Sequence, residues 1–189
     1  MISAILLAAG ESKRMKGENK LTKIIKGKPL IKHTIKNILD SNVDELIIII
    51  GHESKKIKNI IDNNEKIKFI FNKDYKSGMA SSIKIGLSNL SNKTECFLIC
   101  LSDMPMISKE IYNELIKNSK KNKIVVPTYK NQQGNPVLFS ILMKDKIMGI
   151  KGDLGAKEIL EKNKEFVFSF ETNNQSILKN YNTADSFNN

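Results

Sequence analysis

The stretch LLAAGESKRMKGENKL, Leu6 to Leu21, passes from small apolar residues through a glycine into four cations. Ala8, Ala9 and Gly10 end the apolar run with little side-chain bulk, so a flat ring or a phosphate can approach that backbone closely. Arg14 and Lys20 then offer the positive charge that polyphosphate binding requires. The pattern is neither GxGxxG nor GxxxxGK[ST], which disfavours a dinucleotide fold and a P-loop ATPase. A solvated basic loop is the plain alternative. In LSDMPM, Asp103 directly follows the apolar run CFLICL, and Pro105 stops that run from continuing as a strand. A carboxylate there suits magnesium, which takes one or two carboxylates and keeps phosphate and water as its other ligands. Helix capping is the competing task, and Ser108, next to KEIYNELIKNS with Glu110 in its first turn, fits that task better.

Three further loops carry glycine beside small polar residues. In NKDYKSGMASSIKIGL, Gly78 opens a turn and Ser81 and Ser82 stand where a helix begins. Their hydroxyls and the free backbone N–H groups can read a base edge or hold an anion, or simply cap the helix, and both readings stay open. QQGNPVLF presents Gly134, Asn135 and Pro136. KGDLGAKEIL presents Gly152, Asp153 and Gly155 ahead of a helix whose first N–H groups can receive a phosphate.

These loops need a scaffold, and the chain's periodicity supplies one. The apolar β-branched runs ISAILL, ELIIII, IKFIF, CFLICL, KIVVPT, NPVLF and FVFSF read as strands. PLIKHTIKNILD, SKKIKNIIDNN, ASSIKIGLSNL, KEIYNELIKNS and GAKEILEK carry apolar residues at helical spacing. Continuous apolar strands alternating with helices predict a mainly parallel sheet covered on both faces, an α/β three-layer sandwich. Ligands in such folds bind beyond the carboxyl ends of the strands, where the loops above lie.

The 189 residues suffice for one core, so one domain over residues 1–189 is expected. The formal net charge of +11 favours anionic partners in general, but the lysines are scattered and aromatics make up only 6%, without the interleaving that nucleic-acid binding uses. Cys96 and Cys100 share one face of a strand as core thiols, with no CxxC pair or histidine cluster to suggest zinc. The run from Ile2 to Ala9 ends in small residues, as a secretory cleavage site does. No lysine or arginine precedes it, however, and no stretch reaches the roughly 18 apolar residues of a membrane span. A soluble cytoplasmic protein without a membrane or nucleic-acid partner is expected.

Taken in order, LLAAGESKRM, NKL, GKPLIKHTI, GMASSIKIGL, LSDMP, VVPTY, GNPVLF and KGDLGAKEIL resemble the nucleotidyltransferases of the MobA-like superfamily, and most of all the molybdenum cofactor cytidylyltransferases (MocA-like). The matches run from Met1 to about Leu160. The resemblance implies a Rossmann-like, nucleotide-diphospho-sugar transferase-like sheet and a magnesium-dependent transfer of CMP from CTP to the phosphate of molybdopterin, with release of pyrophosphate. An apo-molybdoenzyme is a further partner it brings into view. By motif, Arg14 and Lys20 would stabilise the triphosphate and leaving pyrophosphate, and Asp103 would hold Mg2+. Leu7, Ala8, Ala9 and Gly10 would line the nucleotide, with Gly78, Ser81 and Ser82 near its base. Gly134, Asn135, Pro136, Gly152, Asp153 and Gly155 would face the pterin and its phosphate.

The chain departs from the family's pattern at three places. Lys16 stands before Gly17, where glycine usually follows RM directly. Asn182, in NYNTADS, falls where an aspartate would make the second metal contact, and related transferases with NxNTPE there remain active. Lys157 replaces the arginine that commonly follows GA. Guanylyl enzymes of the group read LAGG where this chain reads LAAG, so the Ala9 methyl favours a pyrimidine. The alternatives are a guanylyltransferase on the same cofactor, a transferase on another phosphorylated metabolite, and a non-catalytic nucleotide- or cofactor-binding chaperone.

Overall fold

All seven apolar runs become strands in the computed structural model, which describes residues 1–12, 19–119, 123–149 and 156–182. In chain order the elements are β1 (Ile2–Ala8), β2 (Ile24–Ile25), β3 (Lys28–Pro29), α1 (Leu30–Leu39), β4 (Glu45–Ile50), α2 (Ser54–Ile60), β5 (Ile67–Phe71) and α3 (Met79–Ser88). There follow β6 (Cys96–Leu101), α4 (Lys109–Asn118), β7 (Ile124–Tyr129), β8 (Gln132–Gln133), β9 (Val137–Ser140), α5 (Lys144–Met148), α6 (Ala156–Lys162) and β10 (Val167–Glu171). The main sheet runs β10–β7–β9–β6–β1–β4–β5, with β8 attached to β7 and a separate β2–β3 hairpin. Every neighbouring pair on that path is parallel except those made by β9, which runs against both β6 and β7.

The two faces follow from strand alternation. Ala4, Leu6 and Ala8 of β1 join Leu98 and Cys100 of β6 in a core closed by α1, α2 and α4. Ile5 and Ala9 join Ile47, Ile49, Phe97 and Ile99 in a second core closed by α3, α5 and α6. The result is the expected three-layer α/β sandwich. Cys96 and Cys100 lie on one face as free thiols, and burial raises the pKa of both.

Some elements differ from the sequence reading. Helix α2 stops at Ile60 rather than continuing through the asparagines, because Ile61 is extended and the Asn64 side chain accepts from Lys66 N, a local bond that competes with helix. The short β2, β3, β8 and α5 carry too few residues to show a period. Ser108 occupies the N-cap position of α4 without capping a backbone N–H, and its hydroxyl bonds the Glu110 carboxylate instead, which lowers the pKa of that group.

Candidate functional site

Strand order fixes where a site belongs. From β1 the chain crosses to β4 on one side, and β6 returns on the other, so the topology switches direction between β1 and β6. In such sheets the crevice outside the carboxyl ends at the switch receives ligands. A cavity of about 460 Å³ lies there, lined on the β1 side by Leu7, Ala9 and Gly10 and on the β6 side by Ser102 and Asp103.

One end of the cavity is charged. Lys20 Nζ donates to Asp103 Oδ2 at 2.6 Å and to Asn182 Oδ1 at 2.7 Å, which brings together three residues far apart in the chain. The loop carrying Asp103 is held from several directions. Ser102 Oγ donates to Leu7 O, Thr34 Oγ1 of α1 donates to Ser102 O, and Asn37 Nδ2 donates to Pro105 O. Tyr181 N donates to Asp103 O at 2.9 Å, so the carboxyl-terminal segment is tied to the same loop and delivers Asn182. Lys20 is set by its own short 3-10 turn, Lys20–Thr22, which Asn19 caps by accepting from Leu21 N.

The other end, formed by the chain that leads into α3, is neutral apart from Lys76. Tyr75, Gly78, Met79 and Ser82 line it, and Lys76 lies beside Tyr75. Gly78 has φ +107°, which favours glycine and turns the chain into α3. Tyr75 sits against Gly51, where a Cβ would stand 2.7 Å from Tyr75 Cβ and 2.9 Å from Ala9 Cβ. The charged end borders the core of α1 and α4 through Leu21 and Met104, and the neutral end borders that of α3 through Ala80 and Ile83. The cavity therefore spans the sheet edge from one layer to the other.

The residues singled out from sequence fall into three groups. Leu7, Ala9, Gly10, Lys20, Gly78, Ser82, Asp103 and Asn182 all line the cavity. Ala8 and Ser81 do not. Ala8 faces the α1 core, and the Ser81 hydroxyl is taken up by Gly78 O, Asp74 O and Asn72. Gly134, Asn135 and Pro136 also lie off the cavity lining. Continuing the β6–β9 register from Ile99↔Val137 brings Asn135 level with Leu101, at the same sheet edge. Gly134 lets the carboxyl-terminal segment approach, since a Cβ there would meet Ile177 O at 2.6 Å, and Asn135 N donates to that same carbonyl. Arg14, Gly152, Asp153 and Gly155 lie outside the described residues. Tyr75, Lys76 and Asn180 line the cavity without any sequence signal beyond their types, because spacing alone does not say which loop folds over which strand end.

Asp103 Oδ2 and Asn182 Oδ1 converge on one cation, here the Lys20 ammonium, so the pair can receive a small cation with oxygen ligands. Among the described residues no group of three His, Cys, Asp or Glu side chains forms an all-protein cage. One carboxylate and one amide oxygen at the edge of the cavity suit a divalent cation that completes its shell with other oxygen ligands better than a cage-seeking metal.

The comparisons agree with this architecture. Residues 4–166 match the MobA-like NTP transferase domain, and the chain belongs to that family. Among curated relatives, the Bifunctional protein GlmU of Staphylococcus epidermidis is 27% identical over 143 residues, covering 75% of this chain and 31% of that protein. The chain thus spans about a third of that relative's length. Among solved structures, Rv0371c from Mycobacterium tuberculosis superposes with a TM-score of 0.87 at 18% identity, covering 99% of this chain and 95% of that one. Rv0371c is also known in complex with manganese. The 4-diphosphocytidyl-2C-methyl-D-erythritol synthase from Anaerococcus prevotii superposes with a TM-score of 0.81 at 19% identity, covering 98% and 92%. At these identities the structural likenesses establish the fold. No helix of the described residues is long and apolar enough to cross a membrane.

Proposed function

We propose that the protein is a nucleotidyltransferase that takes CMP from CTP, places it on the phosphate of a molybdopterin-type cofactor and releases pyrophosphate. The observation that carries the transferase reading is the convergence of Lys20, Asp103 and Asn182 at one end of a cavity whose other end is neutral apart from Lys76. A nucleoside triphosphate has the same division, with charge at one end and a base at the other.

In the proposed reaction an oxygen of the acceptor phosphate attacks the α-phosphorus. A new P–O bond forms as the bond from the α-phosphorus to the oxygen bridging it to the β-phosphorus breaks, and pyrophosphate leaves with that electron pair. Two anionic groups must meet, so positioning and charge stabilisation carry the catalysis. An ammonium has three N–H groups. With no metal on the site, two on Lys20 are used on Asp103 and Asn182, and the third is left for a phosphate oxygen. Arg14, between Ser12 and Asn19 in the sequence, is the second proposed phosphate cation. Asp103 and Asn182 would hold magnesium in place of the Lys20 ammonium, which would free Lys20 to donate wholly to phosphate, and the metal would supply further positive charge there. Ala9 and Gly10 bear the nucleotide. Asn135, whose side chain has no hydrogen-bond partner among the described residues, faces the acceptor together with Gly152, Asp153 and Gly155.

The Ala9 methyl beside Tyr75 narrows the neutral end and favours cytosine over guanine. Likeness to a diphosphocytidyl synthase favours a second reading, with the same donor and a different phosphorylated acceptor. Pyrophosphate release, measured with each of the four ribonucleoside triphosphates and purified molybdopterin, tests both. Release led by CTP supports the first reading. Binding of CTP without release alongside molybdopterin favours the second, and absence of both removes the transferase reading.

A further inference from the structure

Asn72, directly after β5, is 2% exposed, and its backbone N–H and both polar atoms of its side chain are used within the protein. Its N donates to Ile50 O at 2.8 Å, and its Oδ1 accepts from Asp74 N at 3.0 Å. A backbone N–H can only donate, so this contact fixes which way the amide faces. Its Nδ2 group then faces the serines, donating to Ser81 Oγ at 2.9 Å and to Ser82 Oγ at 3.0 Å. The two hydroxyls differ in what they do next. Ser81 sends its own proton to Gly78 O at 2.8 Å or Asp74 O at 3.1 Å. Ser82 has no acceptor among the described residues, is 6% exposed and lines the neutral end of the cavity.

We propose that Asn72 is a positioning residue for base selection: by donating to Ser82 Oγ, it leaves the Ser82 hydroxyl proton to be offered to an acceptor atom of the bound base. Asn72 itself never touches the ligand. Through Asp74 and the two serines it also ties together both ends of the segment that carries Tyr75, Lys76, Gly78 and Met79 into the cavity. A hydroxyl fixed as a donor suits cytosine, whose pairing edge holds two adjacent acceptors, O2 and N3. Guanine offers one acceptor beside two donors. The inference rests on the proposed nucleotide reading and adds how that end of the cavity distinguishes bases.

The test is Asn72→Asp, in which a carboxylate that only accepts takes the Ser82 proton for itself. KM for CTP and for GTP, with kcat for each, would be measured in Asn72→Asp, Ser82→Ala and the double variant, below all melting temperatures. We expect Asn72→Asp and Ser82→Ala each to raise KM for CTP about five- to tenfold, the size of one withheld hydrogen bond. The GTP value should move less, and the double variant should be no worse than either single. Ser81→Ala should lower the melting temperature while keeping the CTP-to-GTP ratio. A merely structural Asn72 would lower melting and kcat with the ratio intact and with additive effects, which overturns the inference while leaving the transferase reading in place. No saturable use or binding of any triphosphate by the unmutated protein overturns both. Should Asn72→Asp not fold, equal base ratios in Ser81→Ala and Ser82→Ala overturn the inference without it.

Discussion

Lys20 is both the cation that holds Asp103 and Asn182 together and the cation proposed to meet phosphate, so its removal acts twice. Lys20→Ala is expected to lower kcat/KM at least tenfold, equivalent to about 1.4 kcal/mol of transition-state stabilisation. Lys117, exposed on α4 and 3.6 Å from Glu114, is the matched control, because exposed pairs of this kind contribute about 0–1 kcal/mol and touch no ligand. Steady-state kinetics on Lys20→Ala and Lys117→Ala separate the phosphate role from general charge, and equal effects would return Lys20 to a surface role. Asp103→Asn keeps an oxygen for Lys20 but removes the charge, so turnover should be lost while the melting temperature holds. Calorimetry beside the pyrophosphate assay checks both halves. Lys20, Asp103 and Asn182 were legible from residue type and motif. Asn72 and Tyr75 were not, because their roles depend on which atoms a folded loop brings within 3 Å, and no spacing rule contains that.

At the scale of elements, two glycines hold the site's walls at close approach. Gly51 directly follows β4 with Tyr75 and Ala9 pressed upon it, so Gly51→Ala must push Tyr75 off the neutral end. Overpacking of this kind costs about 1–3 kcal/mol. In a chain of this length that lowers the melting temperature by roughly 3–10 °C, and KM for the nucleotide should rise with it. Gly134→Ala meets the carbonyl of Ile177, displacing the segment that delivers Asn182. The expected signature there is weakened metal binding, read by manganese titration, at unchanged affinity for free CTP. The long strands and helices could be read from the sequence because each buries a face and so carries a period. The β2–β3 hairpin, β8 and the short α5 could not, since two to five residues held by tertiary contacts carry no periodic signal. The GNP stretch shows the same limit: its glycine is explained by a contact with Ile177, 43 positions later in the chain.

For the whole molecule, one sheet shared by two cores predicts a single cooperative unfolding transition, with calorimetric and van't Hoff enthalpies equal. Two separate transitions would divide the chain where a single domain is expected. The sheet's switch between β1 and β6 explains why residues from near the amino terminus, the middle and the carboxyl terminus meet in one cavity, and the family match explains the order in which they occur. What that assembly does is decided most directly by following phosphorus. CTP labelled at the α-phosphorus, and separately at the γ-phosphorus, is incubated with the protein, magnesium and molybdopterin, and the products are separated. The account predicts the α-label on the pterin and the γ-label in pyrophosphate. The γ-label on the pterin, or released as inorganic phosphate with CDP left behind, would contradict it.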